Sequence, residues 1–62
     1  MEILAKYPFG LAWYARVRDD DGIVSEFKIR QREEPADDRF LALALKAQGV
    51  RRKVEGERGE YR

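Results

Sequence analysis

The chain has 62 residues, with 13 Lys plus Arg against 12 Asp plus Glu, a formal net charge of +1, and neither cysteine nor histidine. Disulfides and the ordinary zinc ligand sets are therefore excluded, and the balanced charge argues against a conventional, strongly basic nucleic-acid binder. No apolar run approaches the ~18 residues that span a bilayer, and the opening MEILAKYPFG, with its acidic second residue, does not read as a secretion signal, so a cytoplasmic location is expected.

A chain this short buries only about 60% of its unfolded surface in one small core. Tight packing or self-association must supply what disulfides and metals cannot. Asparagine and threonine are also absent, and Arg outnumbers Lys nine to four, which fits either a thermophilic source or a GC-rich coding sequence.

MEILAKYPFG alternates, with Ile3, Ala5 and Tyr7 on one side and Leu4 and Lys6 on the other. It predicts a first strand ending at Pro8, which has no N–H to give to a ladder. Gly10 then lets the chain turn back. LAWYARVRDD and GIVSEFKIRQ are richer in aromatic and β-branched residues and alternate with period two. Trp13, Ala15 and Val17 share one face of the second strand, and Tyr14, Arg16 and Arg18 the other. In the third strand Ile23, Phe27 and Ile29 lie opposite Glu26, Lys28 and Arg30.

Parity decides the turn between them. A two-residue turn at Asp21-Gly22 would set odd positions against even ones and place Val17 beside Glu26. A three-residue loop, Asp20-Asp21-Gly22, instead pairs Trp13 with Ile29, Ala15 with Phe27 and Val17 with Ser25, and sets Arg16 against Glu26 and Tyr14 against Lys28. That loop is a type I turn followed by a left-handed residue, the place for Gly22. The three strands are then expected to form an antiparallel meander.

EEPADDRFLALALKAQGV predicts the one helix. Pro35 suits a first turn, Asp37 and Asp38 suit the positive end of the dipole, Ala and Leu fill the middle, and Gly49 offers a C-terminal stop. The expected fold class is α+β, a βββα unit over residues 1–50 with the helix packed on one sheet face. Residues 51–62 are expected as a charged mobile tail. The expected core is Ile3, Ala5, Trp13, Ala15, Val17, Ile23, Phe27, Ile29, Phe40, Leu43, Ala44 and Ala47.

Candidate chemistry is sparse. Aligned on Gly22, the acidic run meets a calcium loop's needs at Asp19 and Asp21, but Val17 and Lys28 fall where the terminal carboxylates belong. The run reads as a turn, and no metal or cofactor is expected. Ser25 is the only serine and points inward, Glu33-Glu34 and Asp37-Asp38 flank a helix start, and the domain has little volume for an enclosed pocket. No enzyme activity is expected.

Two surfaces remain. On the helix, Phe40, Leu43, Ala44 and Ala47 form the core face, while Leu41 and Leu45 widen the apolar arc beyond what three strands cover. Leu41, Leu45 and the neighbouring Gln48 are the expected partner-binding residues, and an interaction module that dimerises through its helix and binds a protein partner is the first functional reading. On the outer sheet face Tyr14, Arg16, Arg18, Lys28 and Arg30 are expected to project together with Lys6 beside them, and Arg51, Arg52 and Lys53 form a second basic cluster just after the helix. Basic residues around an aromatic suit phosphates and bases, and nucleic-acid binding is the alternative reading. The order of WYARVRDDDG, EFKIR and a following helix resembles, in residue classes over about forty positions, the sheet-reading arm-binding domains of phage integrases. That resemblance implies sheet-face contact with DNA and assigns no family.

Overall fold

The computed structural model describes the backbone of residues 1–60 and the side chains of residues 1–53. Strands β1 (Glu2–Phe9), β2 (Ala12–Arg18) and β3 (Val24–Ile29) form one antiparallel sheet in the order β1-β2-β3, followed by helix α1 (Asp37–Glu60). This is the expected βββα meander. Among the described residues no helix is long and apolar enough to cross a membrane.

The β2–β3 register is the one parity selects: Trp13 opposes Ile29, Ala15 opposes Phe27, Arg16 opposes Glu26 and Val17 opposes Ser25. The turn closes with Asp19 N–H donating to the Ile23 carbonyl at 2.9 Å and Gly22 N–H to the Asp19 carbonyl at 3.0 Å. Gly22 has φ +82°, the left-handed conformation the three-residue loop requires.

β1 departs from expectation. Glu2 pairs with Arg18 and Ile3 with Val17, but a bulge at Leu4 shifts the register, and Ala5 then pairs with Arg16, Lys6 with Ala15 and Tyr7 with Tyr14. One extra residue reverses the parity of everything after it. Ala5 and Tyr7 therefore lie on the outer face, and Ala5 leaves the core. Lys6 turns inward.

The buried centre is Ala15, Val17, Ile29, Phe40 and Ala44, with Ile3, Trp13, Phe27 and Leu41 packed against it. Three other expected core residues are corrected. Leu43 is 36% exposed, Ile23 is 44% exposed, and Ala47 is exposed. The helix buries Phe40, Ala44 and Gln48 at i, i+4 and i+8, flanked by Leu41 and Arg51, so it is rolled by roughly 50° from the face that apolar residues alone select. Ile23 loses its cover because the helix end nearest the turn presents Gln48 and Arg51 instead of apolar groups.

Pro35 is fully buried just ahead of α1 and not within its first turn. Gly49 does not stop the helix, which continues to Glu60, because residues beyond it grip the turn. The boundary expected after residue 50 thus falls inside α1. Residues 51–53 of the expected tail are helical, and the tail side chains from 54 on lie outside the described residues.

Burial ranks the side chains. Phe40→Ala empties the largest fully buried site and is expected to cost about 3–5 kcal/mol in chemical denaturation. Leu45→Ala, at a position 59% exposed, is expected to stay within about 0.5 kcal/mol.

Candidate nucleic-acid interface

Which cations are available is settled by two polar clamps, one at each end of the packed stretch of α1. At the start, the bulge delivers Lys6 to the helix N-terminus. Its ammonium donates to the Pro35 carbonyl at 3.0 Å and to Asp37 Oδ1 at 2.6 Å, with Glu34 at 3.4 Å. The hydrogen bond to Asp37, helped by Glu34, raises the Lys6 pKa against the opposing effect of partial burial.

The second clamp is the acidic turn. Asp19 is buried, and its Oδ1 accepts from the backbone N–H of Asp21 at 2.9 Å and of Ile23 at 3.1 Å. Its Oδ2 accepts from Arg51 at 2.7 Å. Burial pushes the Asp19 pKa up, but the Arg51 guanidinium and the two N–H donors outweigh it and hold the carboxyl below its usual value. Asp21 takes both Arg52 and Arg51, at 2.8 and 2.9 Å, and is also lowered, chiefly by Arg52. Asp20 pairs with the N-terminal ammonium at 2.9 Å, which lowers it too. The buried Gln48 side chain accepts from the Asp20 N–H at 3.0 Å. All three aspartates are thus occupied from within the chain.

Four of the cations outside the clamps, Arg16, Arg18, Lys28 and Arg30, lie on the outer sheet face. The parity change at Leu4 brings Tyr7 and Phe9 beside Tyr14. Tyr7 and Tyr14 stack with centroids 5.7 Å apart and planes 13° from parallel, and Phe9 meets Tyr14 edge-on at 6.2 Å. Phe9 is 73% exposed. Lys28 Nζ stands 5.9 Å from the Tyr14 centroid. Tyr7 donates its hydroxyl proton to Glu26 at 2.6 Å, and that bond raises its pKa. Arg16 reaches Glu26 at only 4.0 Å, and Arg18 reaches Glu2 at 3.2 Å. Such exposed pairs contribute little, so both guanidiniums can exchange a carboxylate for a phosphate. Lys28 and Arg30 have no ion-pair partner among the described residues. They border an open cleft with Phe9, Leu11 and Tyr14.

The structure therefore brings Tyr14, Arg16, Arg18, Lys28 and Arg30 together, as their alternation predicts. Arg51 and Arg52 do not join them, because the turn aspartates hold both, and Lys53 is exposed on the helix. Of the expected helix patch, Leu41 packs on the core and Gln48 is buried in the turn clamp, which leaves Leu45 alone exposed. Sequence reasoning missed Tyr7 and Phe9. Their signal was the aromatic pair around Pro8, hidden by an alternation that looked regular through Leu4.

The clamps predict a pH profile. Asp19, Asp20 and Asp21 have lowered pKa values, so their stabilisation is complete above the ordinary carboxylate range and is lost as pH falls through and below it. Lys6 and Tyr7 are raised, so their contribution is complete below their ordinary values and is lost as pH rises through the raised ones. Thermal midpoints should fall at both extremes, and Asp19→Asn should flatten the acid limb while leaving the alkaline one. Gln48→Ala, which strips the Asp20 N–H of its acceptor, is expected to cost about 1 kcal/mol at neutral pH. The chain matches no protein-family model, no curated protein and no solved structure.

Proposed function

We propose that this chain is a small non-catalytic module that binds single-stranded nucleic acid on the outer face of its sheet. The observation that carries this reading is the cluster of Tyr7, Phe9 and Tyr14 on an exposed face beside Lys28 and Arg30, which have no ion-pair partner among the described residues. Aromatic side chains on an open sheet offer stacking surfaces to unpaired bases, and flanking cations take the phosphates. A net charge of +1 does not oppose this reading. Lys6, Arg51 and Arg52 are consumed by acids elsewhere, so the charge that matters is local. The face itself carries four cations, Arg16, Arg18, Lys28 and Arg30, against the two carboxylates Glu2 and Glu26.

The reading as a protein-interaction module dimerising through Leu41, Leu45 and Gln48 has less support. Two of those three side chains are engaged inside the domain. Glu26 at the centre of the outer face is the feature that most opposes nucleic acid, and its engagement by Tyr7 and Arg16 reduces that opposition.

Fluorescence titration with labelled oligonucleotides tests the proposal. Single strands should bind more tightly than duplex, with affinity falling as salt rises. Phe9→Ala should weaken binding about tenfold or more, the loss expected for one stacked base. Lys28→Ala should lower the slope of log affinity against log salt by about 0.7. Absence of binding to any oligonucleotide at low salt would overturn the proposal, as would binding indifferent to both substitutions.

A further inference from the structure

The two edges of the sheet are not alike. β1 carries the Leu4 bulge, the proline Pro8 and the inward-pointing cation Lys6, three devices that keep a strand edge from pairing with another chain. β3 carries none of them. It is a regular, proline-free strand whose partner among the described residues is β2 alone.

The direction of its unpaired groups follows from the turn. Because Asp19 N–H donates to the Ile23 carbonyl, the pairs 19/23, 17/25, 15/27 and 13/29 are the hydrogen-bonded ones. The backbone groups of Ser25, Phe27 and Ile29 therefore face β2, and those of Val24, Glu26 and Lys28 face outward. We propose that this edge pairs with the β3 edge of a second copy, antiparallel about a two-fold axis at Phe27, to give a six-stranded sheet.

Charge selects that axis. A two-fold at Glu26 would set Glu26 against its own copy, and one at Lys28 would set Lys28 against its own copy; like charges directly opposite are unfavourable. At Phe27, Glu26 faces the copy's Lys28 twice, and these are the residues whose N–H and C=O point outward. Val24 then meets the copy's Arg30. On the inner side Phe27 meets its own copy and Ser25 meets the copy's Ile29, so the apolar layer continues across the junction. Of the axes at Glu26, Phe27 and Lys28, only the one at Phe27 sets opposite charges face to face.

The helix flank above this edge supports the same occupant. Leu43, Ala47 and Val50 lie within an arc of about 60°, and Leu43 and Val50 are 36% and 57% exposed. This flank is turned toward β3: Leu43 lines an open cleft with Ile29 and Arg30, and Ala47 lines a small one with Ser25 and Phe27. A second copy brings its own flank to the same place, covering both. The two helices then lie on one side of the joined sheet, and the two aromatic and basic faces lie on the other.

Sedimentation equilibrium of the full chain without nucleic acid tests this independently of the proposed function. Wild type should sediment with the mass of two chains. Lys28→Glu should shift it to one, by opposing two carboxylates across the junction, and Glu26→Lys should do likewise through two ammonium groups. The exchange Glu26→Lys/Lys28→Glu should restore the dimer, which distinguishes lost pairing from lost folding. Leu45→Asp, away from the junction, should leave the dimer intact. A wild-type monomer at every concentration would overturn the inference, and so would a dimer that survives Lys28→Glu, fails to return in the exchange, or is lost in Leu45→Asp.

Discussion

The Asp19 carboxylate joins the local geometry of a hairpin to the position of a helix, through Arg51, a residue 32 positions later. One oxygen accepts the N–H groups of Asp21 and Ile23 in the turn, and the other accepts Arg51. The apolar centre of Ala15, Val17, Ile29, Phe40 and Ala44 contains one large ring and few other bulky groups. Hydrophobic attraction is non-directional, and a core this small has little shape with which to select one helix rotation. Directional bonds can. Asp19 to Arg51 and Asp20 to Gln48 fix the far end of the packed stretch, and Lys6 to Asp37 and the Pro35 carbonyl fix the near end.

These clamps also shape the electrostatics. Together they remove Lys6, Arg51 and Arg52 from a chain that is nearly neutral overall, and they do so with acids that would otherwise oppose anionic partners. Four of the remaining cations, Arg16, Arg18, Lys28 and Arg30, lie on the sheet face that the helix leaves bare. The bulge at Leu4 serves both ends, since the same inserted residue that turns Lys6 inward turns Tyr7 outward to stack on Tyr14. Structural economy and surface chemistry are thus set by one irregularity in one strand.

The hairpin was legible in the sequence to the level of individual pairs, because two period-two strands and a loop of either two or three residues leave only one arrangement that buries both apolar faces. Arg16 opposite Glu26 and the left-handed Gly22 follow from that. The bulge was not legible. Ile3, Ala5 and Tyr7 alternate as well as any regular strand, and only pairing with β2 shows the parity change. The helix rotation was hidden for another reason. Reading hydrophobicity around the wheel assigns Gln48 and Arg51 to solvent, whereas both turn inward to satisfy a turn that is itself polar. Leu43 and Ala47 were displaced from the core by that choice. For the candidate site, the alternating cations were readable from strand parity, while Tyr7 and Phe9 depended on the bulge.

Polar bonds at the turn, and not apolar matching, set which face of α1 meets the sheet. Nuclear Overhauser contacts between helix side chains and Val17, compared between wild type and Asp19→Ala, test this most directly. Contacts from Phe40 and Ala44 are expected in wild type, with new contacts from Leu43 appearing in Asp19→Ala as the helix rolls toward its apolar stripe. An unchanged contact pattern in a folded Asp19→Ala chain would contradict it.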